Sequence, residues 1–198
     1  MKENKNLTGT SLVGGSVNYK RVENDFYATD PQSVMDLLAL ETFNGDTILE
    51  PCCGQGHISK VLEKETNCKV WSQDLIDRGY GQGGIDFLKA DFGDRKYTHV
   101  VTNPPYKFAK EFIDKALEVS TDKVAMFLKI QFLEGQARKE WFKNTPLKYV
   151  YVFSKRQDPW RDGESLNPKT GKKWGSTMCF AWFVWEHGYE GEPIIRWI

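Results

Sequence analysis

Asn103-Pro104-Pro105-Tyr106 stands directly after an apolar run, YTHVVT (97–102). Two successive prolines stiffen the backbone and donate no hydrogen bonds. The Pro104 carbonyl is thereby left to an outside donor, beside the amide oxygen of Asn103. Two acceptors held close together suit an –NH2 group. Tyr106 adds a flat face on which a ring can stack. The bland alternative is a proline turn that ends a strand, but such turns seldom carry both flanking residues.

A second group lies upstream. DTILE (46–50) is an apolar run ending in an acid, and Pro51-Cys52-Cys53-Gly54-Gln55-Gly56 leads into a helical pattern, HISKVLEKE. Glycines in such a turn let the backbone approach a ligand closely. About twenty residues on, KVWSQD (69–74) ends at Asp74, where an acid can accept hydrogen bonds from ribose hydroxyls. The third glycine of a phosphate-binding G-x-G-x-x-G is replaced by Ser59, so the turn need not hold a pyrophosphate. Glu50 suggests instead a cationic ligand, or the amino group of one.

These groups need a scaffold that gathers strand ends. PQSVMDLLALETF (31–43) has helical spacing, with Asp30-Pro31 as its start. Strand candidates at 46–50, 69–74, 97–102, 123–128, 149–153, 178–186 and 193–198 alternate with helical patterns at 57–65, 107–119 and 134–144. That alternation predicts an α/β fold with a mostly parallel sheet, seven strands, an antiparallel strand near the C-terminus and helices on both faces. Ligands in such sheets bind at the carboxyl ends of the strands, where both groups fall.

Composition sets bounds. With 198 residues, 40% hydrophobic and 27% charged, the chain reads as one ordinary globular domain, 25–198, preceded by a polar flexible arm, 1–24. Lys and Arg balance Asp and Glu at 27 each, so any basic surface is local. Cys52, Cys53, Cys68 and Cys179 lack zinc-site spacing and read as free thiols, which fits a reducing cytosol. No metal, signal peptide or membrane span is expected.

D/N-P-P-Y/F is the catalytic motif of amino-group methyltransferases, and strand–E-P-x-x-G-x-G–helix is their S-adenosylmethionine motif. Asp25-Phe26-Tyr27-Ala28-Thr29-Asp30-Pro31 resembles the F-Y-x-T-P segment of adenine-N6 DNA methyltransferases, with Asp30 as an extra residue. The cofactor motif precedes the catalytic one, which is the gamma order. The likeness spans roughly 25–186, and the compact build resembles phage and prophage enzymes.

The resemblance implies roles. Phe26, Tyr27 and Thr29 would close over the methionine end of the cofactor, and Glu50, Pro51, Gly54 and Gly56 would cradle it. Asp74 and Leu75 would meet ribose and adenine, and Asp86-Phe87 would hold the adenine, with Asp91-Phe92 as rival. Asn103, Pro104, Pro105 and Tyr106 would bind a flipped-out adenine of DNA. No histidine base is needed, so His57 and His99 read as structural.

Gamma enzymes usually carry a separate recognition domain, and this chain ends too soon for one. The stretch 154–177 is the expected substitute, a substrate-facing loop carrying Lys155, Arg156, Trp160, Arg161, Lys169, Lys172, Lys173 and Trp174. Cations and aromatics suit phosphate contacts and base stacking. Lys2, Lys5, Lys20 and Arg21 could add to them. A specificity subunit or a homodimer is open. The alternatives are methylation of RNA adenine, of a protein glutamine amide or of cytosine N4, or a non-catalytic binding module on the same fold. The expected compartment is the cytoplasm of a bacterial or phage-infected cell.

Overall fold

Neighbouring residues of the central strands point to opposite sides of a sheet, and both sides are buried. The computed structural model describes residues 26–158, 160–175 and 178–198. The expected arm and its four cations lie outside the described residues. Among the described residues nine strands form: β1 Tyr27–Ala28, β2 Thr47–Glu50, β3 Lys69–Ser72, β4 Tyr97–Thr102, β5 Ser120–Lys129, β6 Leu147–Val152, β7 Trp160–Arg161, β8 Phe180–Glu186 and β9 Ile194–Trp197. The α-helices among the same residues are α1 Pro31–Leu38, α2 Ser59–Glu65, α3 Ala109–Val119 and α4 Gln136–Phe142.

Seven strands make one sheet in the order β3-β2-β4-β5-β8-β6-β9. All pairings are parallel except those of β8, which runs antiparallel to β5 and β6. Leu49, Val100 and Val124 meet Phe112, Ile113 and Ala116 of α3 on one face. Ile48, Val101 and Ala125 meet Val34 and Leu37 of α1 and Leu62 of α2 on the other. Burial on both faces explains why these strands read as continuous apolar runs rather than alternating ones.

Local chemistry sets the helix starts. Asp30 caps α1, its Oδ1 accepting from Gln32 N at 3.0 Å, and Pro31 takes the first helical position. The helix stops at Leu38, short of the apolar pattern's end. β9 is an edge strand whose four residues are all exposed. Among the described residues no helix is long and apolar enough to cross a membrane.

Part of 154–177, expected as one long loop, is ordered. β7 pairs antiparallel with β1, Tyr27 opposite Arg161 and Ala28 opposite Trp160. Beyond β7 the chain folds into a hairpin, with bridges Arg161–Glu164 and Leu166–Lys173. Trp174 Nε1 donates to Glu164 O at 2.8 Å, and the Arg161 guanidinium lies 5.4 Å from the Trp174 ring centre.

Candidate active site

The sheet order changes direction at β2. The chain leaves β2 for β3 on one side and returns to β4 on the other. A crevice therefore opens above the carboxyl ends of β2 and β4, where Glu50 and Asn103 stand.

Glu50 is 1% exposed. The Ser59 hydroxyl donates to its Oε2, and the Ser59 and Ser72 hydroxyls are 2.6 Å apart. Ser59 thus replaces the third glycine with a working hydroxyl, a role the spacing did not suggest. Burial pushes the Glu50 carboxyl up to about 8. The Ser59 hydrogen bonds oppose that rise, and the nearby carboxylates of Asp74 and Glu63 add to it. Glu50 is therefore a largely protonated acid at neutral pH. A cation placed beside it would find a site that becomes an anion on demand.

Gly54 and Gly56 have φ of +55° and +81°, a region that only glycine enters without strain. A Cβ on Gly54 would collide with the Phe26 ring, and one on Gly56 would lie 2.5 Å from the Tyr80 ring. The close approach allowed by these glycines is thus made here by two aromatic side chains. The Arg78 guanidinium lies 4.7 Å from the Phe26 ring centre on the same wall. Asp74 ties the turn to β3, its two oxygens accepting from Gly54 N at 2.8 Å and Ile76 N at 2.9 Å. Leu75, next to Asp74, is 53% exposed.

Asn103 Nδ2 donates to Thr29 Oγ1 at 3.1 Å and approaches Tyr27 O at 3.4 Å. A backbone carbonyl only accepts, so the amide nitrogen faces the β1 side and Oδ1 is turned away from it. The following turn closes on Pro105, whose carbonyl accepts from Phe108 N at 2.9 Å, leaving the Pro104 carbonyl out of that turn. Tyr106 is half-buried. Its ring centre lies 6.2 Å from that of Phe180 and 4.8 Å from Lys129 Nζ. Burial pushes its hydroxyl pKa upward, and a hydrogen bond with the Asn103 side chain opposes that rise. Asn103, Tyr106, Phe127, Phe180, Ser33 and Gln157 line a depression of about 10 Å³, room for one water.

No described protein family and no curated protein matches the chain. Solved structures do. A candidate RNA methyltransferase from Pyrococcus horikoshii matches 85% of this chain and 90% of its own, with a TM-score of 0.60 at 14% identity. A type I restriction–modification methyltransferase subunit from Streptococcus thermophilus matches 84% of this chain but 46% of its own, with a TM-score of 0.55 at 13% identity. Magnesium protoporphyrin IX methyltransferase from Synechocystis, solved with S-adenosylmethionine bound, matches 79% and 78%, with a TM-score of 0.51 at 11% identity. The fold is Rossmann-like, of the class I methyltransferase type.

Within that methyltransferase fold the remaining site candidates are placed unevenly. Phe87 is 2% exposed, its ring packed against Phe92 and Phe112 in the core. It offers no free face to a ligand ring. The Asp86 carboxylate pairs with Lys89 Nζ at 2.8 Å and accepts from Leu88 N. Its rival Asp91 accepts from Gly93 N and, with Phe92, borders a separate cavity of about 380 Å³ beside Gln73 and Tyr97. Trp160 is half-buried, its ring edge-on to His57 at 5.6 Å. Lys155, Arg156, Lys169, Lys172 and Lys173 are exposed, the last three on the hairpin. His99 is buried with Nε2 2.8 Å from Asn44 O, and burial lowers its pKa, as befits a structural residue.

Proposed function

We propose that the chain transfers a methyl group from S-adenosylmethionine to the exocyclic N6 amine of a flipped-out adenine in DNA. The orientation of Asn103 carries this reading. Its nitrogen is directed to Thr29 and Tyr27, so its oxygen is the end of the amide left to accept from a target amine.

S-adenosylmethionine brings a methyl group that is already electrophilic, so the protein need only position and select. Glu50 would face the cofactor's amino group, Asp74 its ribose, and Leu75 and Asp86 its adenine. Phe26 would leave Gly54 as the cofactor enters. Asn103 and Pro104 would accept the two hydrogens of the target amine, which favours a tetrahedral nitrogen with its lone pair free to attack. Holding the reactants in line is worth roughly 7 kcal/mol or more. A duplex buries that amine, so the base must leave the stack. A depression with room for one water cannot admit it until the strip 27–30 or the insert 157–158 shifts.

The deciding experiment incubates the protein with labelled S-adenosylmethionine and DNA, RNA or protein, followed by nucleoside and amino-acid analysis. Label in DNA as N6-methyladenine is expected. Label in RNA or glutamine, or none anywhere, overturns the reading.

Asp74→Ala should weaken cofactor binding and lower the melting temperature together, because the same carboxylate holds Gly54 N and Ile76 N. Each bond to a charged acceptor is worth roughly 1.5–3 kcal/mol. Unchanged affinity by calorimetry would move the ribose elsewhere. The hairpin lysines are proposed to meet phosphates. Replacing Lys169, Lys172 and Lys173 by alanine should flatten the salt dependence of DNA binding by about 0.9 log unit per lost contact. An identical slope would take them off the interface.

A further inference from the structure

We infer that Gln157 is the residue that reads the ring nitrogen beside the target amine; the inference rests on the methyl-transfer reading above. Gln157 lines the depression that Asn103 and Tyr106 also line, although it comes from the insert after β6. Its amide is fixed from two sides. Nε2 donates to the Lys155 carbonyl at 3.1 Å, and a carbonyl can only accept. Oε1 therefore faces Ser33, whose hydroxyl donates to it at 2.7 Å. Ser33 is fully buried, and its own carbonyl accepts from Trp182 Nε1 at 2.8 Å, so this anchor belongs to the core. Nε2 carries a second hydrogen, the one that would serve a base in the depression.

In the methyl-transfer reading the polar complement is then an acceptor from Asn103, which the Pro104 carbonyl would join, with one neutral donor from Gln157. An amine beside an unprotonated ring nitrogen is the group that matches it, and adenine shows that pattern on both edges of its amine. The walls agree. Phe127 and Phe180 are stacked, with ring centres 5.0 Å apart. Asp30 and Asp158 also border the depression and would repel a phosphate, which favours a neutral flat ring over the DNA backbone.

The test deletes the two partners separately and together. Turnover is measured for wild type, Gln157→Ala and Gln157→Glu on single-stranded DNA carrying adenine, 1-deazaadenine or 7-deazaadenine. Gln157→Ala should lose about tenfold on adenine, within the range of one hydrogen bond to a substrate. Gln157→Glu, which puts an acceptor where a donor is needed, should lose more. On one of the two deaza bases, wild type should be slowed about tenfold and Gln157→Ala should slow it no further. Independent, multiplying losses on both deaza bases would overturn the assignment and leave Gln157 a purely structural link to Ser33. Wild type that methylates no adenine at all would instead overturn the methyl-transfer reading, and this inference with it. Melting curves of the variants separate either result from misfolding.

Discussion

Asn103→Ala should abolish methyl transfer while cofactor binding stays close to that of the wild type. The side chain's proposed acceptor role matters most when the target nitrogen turns tetrahedral, so its loss should appear in kcat rather than in affinity. Losing one oriented group at such a centre costs roughly 10²–10³ in kcat. The structure adds a second cost. Alanine would leave the buried Thr29 hydroxyl without its donor, a loss of about 1–3 kcal/mol in stability. Asn103→Asp separates the two. A carboxylate still accepts from an amine, and Thr29 can turn its hydroxyl to donate, but the Tyr27 carbonyl would face a negative charge. Partial activity with a lower melting temperature is expected. Tyr106→Phe should be mild and Tyr106→Ala damaging, because the proposed work is done by the ring. Full turnover by Asn103→Ala on DNA would refute the site.

Glu50→Gln should have the other large effect, with opposite signs on stability and function. Glu50 holds its proton up to about pH 8 in the folded chain against 4.5 ordinarily. The folded state therefore binds more protons than the unfolded state between these values, and stability falls as pH rises through that window. Glutamine keeps the shape and removes the ionisation. At pH 8.5 the variant should melt higher than wild type, and near pH 5 the two should nearly coincide. Cofactor affinity should move the other way. A cationic amino group favours the ionised acid, so wild-type affinity should rise with pH from about 6 to 8, by at most about tenfold per unit. The variant should bind weakly at every pH. A pH-independent wild-type affinity, or a variant that binds as well, would remove Glu50 from the cation's site.

Strands with strong apolar runs, such as 97–102, were legible with their ends because burial on both faces leaves few other readings. The two turns were legible as backbone geometry, with Gly54 and Gly56 at positive φ and Pro105 closing a tight turn. What sequence could not show was contact at long range. Gln157 lies 124 positions from Ser33 and 54 from Asn103, and no local spacing connects them. Ser59 looked like a missing glycine until its hydroxyl was seen on Glu50. Phe87 beside an acid read as a ligand-facing ring, but its face is used by Phe112. The insert read as a loop because two-residue strands have no periodicity to detect.

Residues 26–29 touch both halves of the crevice within four positions. Phe26 covers Gly54 at one end, and Tyr27 and Thr29 hold Asn103 at the other, with the insert attached along the outer side by Arg161 and by the bond from Asp162 N to Phe26 O. A ligand that lifts Phe26 would pull on the strip that holds Asn103, and a ring entering beside Asn103 would pull on Phe26. Occupancy of one compartment would then enter the free energy of the other. Such coupling is reciprocal by necessity: whatever factor the first guest applies to the second, the second applies to the first. If both reactants bind as proposed, a short ribbon of backbone would make them answer as a single binding unit.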